Sequence, residues 1–156
     1  MNDPAVIFDI DGTIADCSHR RHFLDGPKKN WNAFYEALDE DKPKFNVIRQ
    51  IDLFRRWYGE DLHIVFVTGR PEKYRARTVR WLVRELDADT PIPCGTTLFM
   101  RPDGDNTPDD ILKKEIYLEK IAPFYNVELV FDDRDKVVKM WRSLGLECWQ
   151  VAEGNF

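Results

Sequence analysis

Short apolar runs alternate with amphipathic stretches along the chain. Residues 5–8 (AVIF), 62–67 (LHIVFV), 96–100 (TTLFM), 127–131 (VELVF) and 147–151 (ECWQV) have the length and composition of strands. Between them the spacing becomes helical. Over 44–58, Val47, Ile48, Ile51, Phe54 and Tyr58 share a face, and over 72–86 so do Tyr74, Thr78, Trp81, Leu82 and Leu86. Thr107 followed by Pro108 predicts a helix start, a hydroxyl cap and then a first-turn proline. That helix is expected to run to about Ala122, before Pro123. A further helix is predicted over 134–144, ending at Gly145.

This alternation predicts an α/β fold, a central parallel sheet with helices on both faces. Such sheets bind ligands beyond the carboxyl ends of their strands. The residues that follow each strand therefore belong together: Asp9 and Asp11 after the first, Thr68, Gly69 and Arg70 after the second, and Asp132, Asp133 and Arg134 after the fourth. Residues 17 to about 42 lie outside the alternation. Their segment WNAFYEALDE predicts a short helix, and an insert at this place would sit over the crevice as a small helical cap.

The 156 residues fit a single domain spanning 1–156, and 43% hydrophobic with 33% charged residues excludes a disordered chain. No apolar run approaches a membrane span, and no signal-peptide pattern opens the chain. Cys17, Cys94 and Cys148 are odd in number and widely spaced, which speaks against a disulfide framework or zinc site and for a reducing, cytoplasmic location. His19, His22 and His63 are read as structural. The net charge of −5 disfavours general coating of nucleic acid, though not a grip on one strand end. The charge is uneven: Arg70, Lys73, Arg75, Arg77, Arg80 and Arg84 form a basic run, HRRH (19–22) another, and EALDED (36–41) and DGDNTPDD (103–110) are acidic. Each run by itself reads as a solvated face.

Carboxylates side by side are costly to bury unless a cation compensates them. Hard oxygen ligands suit Mg²⁺, which commonly shares a substrate phosphate. In such a crevice Asp9 can attack phosphorus, Asp11 can serve as acid and base, and Thr68 with a lysine can hold the phosphoryl oxygens. The alternative is an acidic turn with a positive-φ glycine, a reading that weakens once VTGR (67–70) and FDDR (131–134) are added to FDIDGT (8–13).

These ordered motifs, with a helix-borne lysine, resemble those of the haloacid dehalogenase (HAD) phosphohydrolase superfamily. Residues 107–156 are similar to the C-terminal part of the 3′-phosphatase domain of phage polynucleotide kinase-phosphatases. The resemblance implies a Rossmann-like HAD fold with a small cap after the first strand. It implies a Mg²⁺-dependent enzyme that removes 3′-phosphates, in some cases 2′,3′-cyclic phosphates, from RNA or DNA ends in repair through an aspartyl-phosphate. Asp9 would then be nucleophile and metal ligand, and Asp11 the acid/base with its carbonyl on the metal. Thr68 would bind the phosphoryl group, with Gly69 and Arg70 in the same loop. Asp133 would be a metal ligand and Asp132 its neighbour. Arg20 falls at the place of a functional arginine. Helical spacing fits Asp109–Lys113 and Asp110–Lys114 equally, and the resemblance selects Asp109 and Lys113. For Arg20 and Arg21 a solvated pair is the competing reading. The chain has no G-x-x-x-x-G-K-[ST] loop, so no 5′-kinase activity is expected of it. Two alternatives remain open: a small-molecule phosphatase such as a nucleotidase, and a catalytically silent module that binds strand ends or a repair partner. Trp31, Phe34 and Tyr35 of the insert could stack a base, although aromatics more often pack.

Overall fold

The computed structural model describes residues 2–86 and 98–155, so Cys94 and the first residues of the run 96–100 lie outside it. The apolar runs form β1 (Asp3–Phe8), β4 (His63–Pro71), β5 (Leu98–Arg101), β6 (Tyr125–Asp132) and β7 (Cys148–Gln150). They pair in parallel in the order β5-β4-β1-β6-β7. Successive residues of β1 face opposite ways. Val6 and Phe8 pack with Ile51, Phe66, Trp81 and Phe131. Ala5 and Ile7 pack with Val65, Leu112, Val130 and Trp141. Burial on both faces is what a parallel sheet requires.

The predicted helices supply these layers. α2 (Phe45–Tyr58) and α3 (Arg75–Glu85) bury Ile48, Ile51, Trp81 and Leu82 on one face of the sheet. α4 (Asp109–Ile116) and α5 (Asp135–Ser143) bury Leu112, Ile116, Val138 and Trp141 on the other. The chain leaves β1 toward β4 and β5, then returns to β6 and β7 on the opposite side. The turn-round lies at the carboxyl end of β1, where such folds open a crevice.

Two boundaries differ from expectation. Pro108, with φ −53° and ψ 144°, is itself the residue before the first helical turn, and α4 begins at Asp109. Thr107 does not cap it; its amide donates instead to Asp105 Oδ1 at 2.8 Å, a local turn that competes with capping. The helical region continues beyond α4 as a wider turn over Tyr117–Ile121. The second difference is that β4 does not stop at Val67. It runs on to Pro71, with its pairing to β5 shifted between Val67 and Pro71, so Thr68, Gly69 and Arg70 sit in a bulged strand extension.

The insert is closed at its base by a two-residue antiparallel pair, β2 (Ala15–Asp16) with β3 (Lys42–Pro43). Between them lie a 3₁₀ segment (Ser18–Leu24), α1 (Trp31–Glu36) and a 3₁₀ turn (Leu38–Glu40). Asn30 starts α1 by accepting from the Ala33 amide at 3.1 Å. The insert is fastened to α3 by charge. Arg77 pairs with Glu36 and Asp39, and Arg84 donates to the Asp39 carbonyl at 2.9 Å. Arg77 and Arg84 of the basic run are thus matched to the acidic run of 36–41. Among the described residues, no helix is long and apolar enough to cross a membrane.

Candidate active site

The strand ends converge as expected. Asp9 follows β1 directly, held in register by its amide on the Phe131 carbonyl at 2.9 Å. The chain then turns tightly: Thr13 and Ala15 amides both donate to the Ile10 carbonyl, and the Gly12 amide donates to Ala15. Gly12 has φ 87°, and a Cβ there would collide with Asp133 Oδ2, so glycine is required on two counts. Lys44 closes the turn from outside with Nζ 2.7 Å from the Gly12 carbonyl.

Asp9 is buried at 5% exposure, accepting from Thr13 Oγ1 at 3.0 Å and from Lys113 Nζ at 2.8 Å. Lys113 also donates to Asp132 at 2.9 Å. The α4 face settles the ambiguous spacing, because Lys113 is buried and Lys114 exposed. Burial alone would lower the Lys113 ammonium, yet the charges of Asp132, Asp9 and Asp109 outweigh it and raise it above the usual range. For Asp9 the balance runs the other way. Burial, then Asp132 and Asp133, push its carboxyl well up against the opposing charge of Lys113.

The two acids at the end of β6 divide their work. Asp132 Oδ1 accepts the amides of Asp133 and Arg134, and its Oδ2 accepts Lys113 and the Trp141 indole. Asp133 Oδ2 is buried and accepts no hydrogen bond, with the Arg21 guanidinium 3.7 Å away. Burial and the charge of Asp132 push the Asp133 carboxyl up to about 6. Asp9, Asp132 and Asp133 each offer an oxygen within 4.8 Å of the others. An all-oxygen set, a buried carboxylate oxygen that accepts no hydrogen bond, and the burial of Asp9 and Asp133 beside like charge fit a hard divalent cation.

Asp11 lies between two arginines. Arg20 Nη2 and Arg70 Nη2 each approach its Oδ1 at 2.5 Å, and Arg70 Nε reaches both oxygens at 3.1 Å. Burial would raise this carboxyl, but the two guanidiniums hold it well below the usual range. Neither arginine is exposed, which removes the solvated reading of Arg20. Both can be buried because Asp41, at the base of the insert, accepts Arg20 at 2.7 and 2.6 Å and Arg70 at 2.9 Å. His19 Nε2 lies 2.9 Å from the same carboxylate, and the Asp41 carbonyl takes the Trp81 indole at 2.9 Å.

The β4 extension forms the remaining wall. Thr68 is buried with its hydroxyl accepting the Arg70 amide at 3.2 Å. The Gly69 carbonyl accepts Tyr35 at 3.3 Å and Arg101 at 3.0 Å, and a Cβ on Gly69 would crowd Asp109. Asp109 is bracketed by Arg101 at 2.6 Å and Arg134 at 2.7 Å. Asp9, Asp11, Arg20, Thr68, Gly69, Arg70, Asp109, Lys113, Asp132 and Asp133 thus gather in one cluster at the strand ends. Asp41, Lys44 and Arg101 were not among them. Each is one charged residue in a polar stretch; Asp41 and Lys44 meet partners 21 and 32 residues away, and Arg101 reaches Gly69, 32 residues back, as well as nearby Asp109.

The family model of the polynucleotide kinase PNKP phosphatase domain matches residues 3–156. The chain belongs to this family. A relative from Autographa californica nuclear polyhedrosis virus, provisionally named a bifunctional polynucleotide kinase/RNA ligase, is 33% identical over 140 residues, 90% of this chain and 18% of that protein. A chain in the solved structure of a Pnkp1/Rnl/Hen1 RNA repair complex superposes with TM-score 0.78 at 32% identity, covering 99% of this chain and 44% of that one. This PNKP phosphatase domain therefore spans a minor part of these longer relatives. The class C acid phosphatase from Bacillus anthracis, at TM-score 0.61 and 17% identity over 85% of this chain, shares the HAD fold.

Proposed function

We propose that this domain is a Mg²⁺-dependent polynucleotide 3′-phosphatase acting on RNA or DNA ends in nucleic-acid repair, with the insert over 17–42 serving as its cap. The observation that carries the reading is the arrangement at Asp9. A buried carboxylate is seated against Lys113, beside the orphaned oxygen of Asp133 and next to the arginine-held Asp11, in a chain matching the PNKP phosphatase family over residues 3–156.

Asp9 attacks the 3′-phosphorus and the bond from phosphorus to the 3′-oxygen breaks, leaving an aspartyl-phosphate. Asp11 gives the leaving oxygen its proton. Water then attacks the aspartyl-phosphate, Asp11 takes the proton, and inorganic phosphate leaves. Because Arg20 and Arg70 hold Asp11 ionised in the free protein, it is prepared as the proton acceptor. Its role as donor requires the guanidinium charge to be met by arriving phosphate oxygens. Thr68 and Lys113 bind the phosphoryl oxygens as charge builds on them. Asp9, Asp133 and the Asp11 carbonyl would hold the Mg²⁺, and Asp132 keeps Lys113 in place. When bound, the metal neutralises the clustered carboxylates and the phosphate charge.

The test is phosphate release with Mg²⁺ from four substrates: 3′-phosphate oligonucleotides, 5′-phosphate oligonucleotides, 3′-mononucleotides and an aryl phosphate. The 3′-phosphate oligonucleotide should be preferred. Equal kcat/KM for the 3′-mononucleotide would contradict a polynucleotide substrate while leaving the Asp9 chemistry standing.

A further inference from the structure

One feature beside the crevice is not used by the chemistry above: a row of aromatic rings on α1. Phe34 and Tyr35 both face the site. Phe34 lies under the Arg20 guanidinium, 4.0 Å from Cζ to the ring centre, and Tyr35 donates its hydroxyl to the Gly69 carbonyl. Trp31 touches both of these rings. It stacks on Tyr35 at 5.9 Å and 23°, one helical turn earlier, and meets Phe34 edge-on at 5.8 Å. Tyr74 backs Tyr35 from α3's approach at 5.5 Å. The row thus starts at the strand extension carrying Thr68 and ends at an indole.

Burial falls along the row. Phe34 and Tyr74 are 5% and 4% exposed, whereas Trp31 is 42% exposed. The inner rings are explained by packing. The outer indole is not, since a six-residue helix already capped by Asn30 gains little from a half-exposed tryptophan. Its surroundings are cationic. Lys29 Nζ lies 5.8 Å from the Trp31 ring, and exposed Lys73 lies 5.0 Å from Tyr74. A rigid aromatic face, flanked by cations and leading to a phosphate site, has the make-up of a single-strand stacking platform.

We propose that Trp31, supported by Tyr35, stacks the base of the terminal nucleotide whose 3′-phosphate enters the crevice. The inference rests on the 3′-phosphatase reading and adds to it the surface that recognises the nucleoside. Stacking is indifferent to base identity, because every base has a π-face. The platform therefore distinguishes strand ends that carry a base from ends that do not, and not one sequence from another. Lys29 stands where it can meet the phosphate of a neighbouring nucleotide.

The test compares two short single strands with identical 3′-phosphates, one ending in an ordinary nucleotide and one in an abasic sugar. Trp31→Ala should raise KM for the ordinary end by roughly 5- to 150-fold, the range for a lost base–aromatic stack, with kcat little changed. The abasic end should be hydrolysed alike by both proteins, and Trp31→Phe should recover most of the loss. Equal losses on both ends, or none on either, would overturn the platform. A second readout is independent of turnover and of the variant's folding. A strand with 2-aminopurine at its 3′ nucleotide should be quenched on binding the Trp31-containing protein, and a bound but unquenched probe overturns the proposal. If that probe is quenched yet no 3′-phosphate is released, the phosphatase reading has failed and the platform has not.

Discussion

Lys113 donates to Asp9 at 2.8 Å, with the two side chains 2% and 6% exposed. The same ammonium reaches Asp132, so a single cation offsets two buried carboxylates contributed by different strands. Removing one partner of a buried pair costs about 3–5 kcal/mol because the other charge is left uncompensated. Lys113→Met should therefore lose stability on this scale in denaturant melts and lose at least about 100-fold in turnover, as expected of a group holding phosphoryl charge. A variant of normal stability and normal rate would remove Lys113 from both roles.

Asp41 should behave as a positioning residue. It contacts none of the proposed reacting atoms, yet it holds Arg20 and Arg70 against Asp11. Asp41→Asn should lower kcat strongly while melts show the protein folded at the assay temperature. As the comparison, Glu72→Ala breaks a part-exposed pair with Arg75 and should cost under about 1 kcal/mol with no change in rate. Equal, small effects of the two variants would deny Asp41 its role.

The acids at the end of β6 predict a pH dependence. Burial and Asp132 push Asp133 up to about 6, whereas an unfolded aspartate titrates near about 4. Between these values the folded state holds more protons, so stability of the metal-free protein falls as pH rises from about 4 to about 6. Asp9, raised by burial and by Asp132 and Asp133, acts in the same direction. Asp11 and Asp109, which burial would raise but arginines and Lys113 hold low, act oppositely and only below about 4. Mg²⁺ takes the ionised carboxylates, so the stabilisation it adds should grow across the same interval and vanish with EDTA. Thermal melts at several pH values with and without Mg²⁺ test this. A Mg²⁺ effect that does not vary with pH would contradict Asp133 as a ligand.

Salt dependence separates the rim from the interior. Arg20 is fully buried, whereas Lys73 is exposed and Arg21 has 41% of its side chain exposed. Lys73→Ala should reduce the log–log salt slope for a 3′-phosphorylated single strand by about 0.7, one phosphate's worth. Arg20→Ala should lower turnover instead, by removing one of the two guanidiniums that hold Asp11 and leaving only Arg70 against it. An unchanged slope for Lys73→Ala would place it off the strand's path.

Much of this was legible in residue order because apolar runs end abruptly in chemistry. Phe8 to Asp9 and Phe131 to Asp132 mark both a strand's end and a site. The bulged extension of β4 was not legible, since Thr68, Gly69 and Arg70 carry no residue-type signal separating a loop from an irregular strand. Periodicity could not choose Lys113 over Lys114; the resemblance did, and the packing of Leu112 and Ile116 against the sheet gives the physical reason. Asp41 was hidden for the same reason, and so was the burial of Arg20, though not its place in the site. A charged residue reads as solvated until its partners, 21 and 29 residues away from Asp41, are brought beside it by the fold.

Asp9→Asn tests the central claim most directly. The amide keeps the size and much of the hydrogen bonding of the carboxylate but cannot attack phosphorus. Phosphate release from a 3′-phosphorylated oligonucleotide with Mg²⁺ should be lost in the variant while it still melts cooperatively and binds the strand. Release near the wild-type rate by folded Asp9→Asn would contradict the aspartyl-phosphate mechanism.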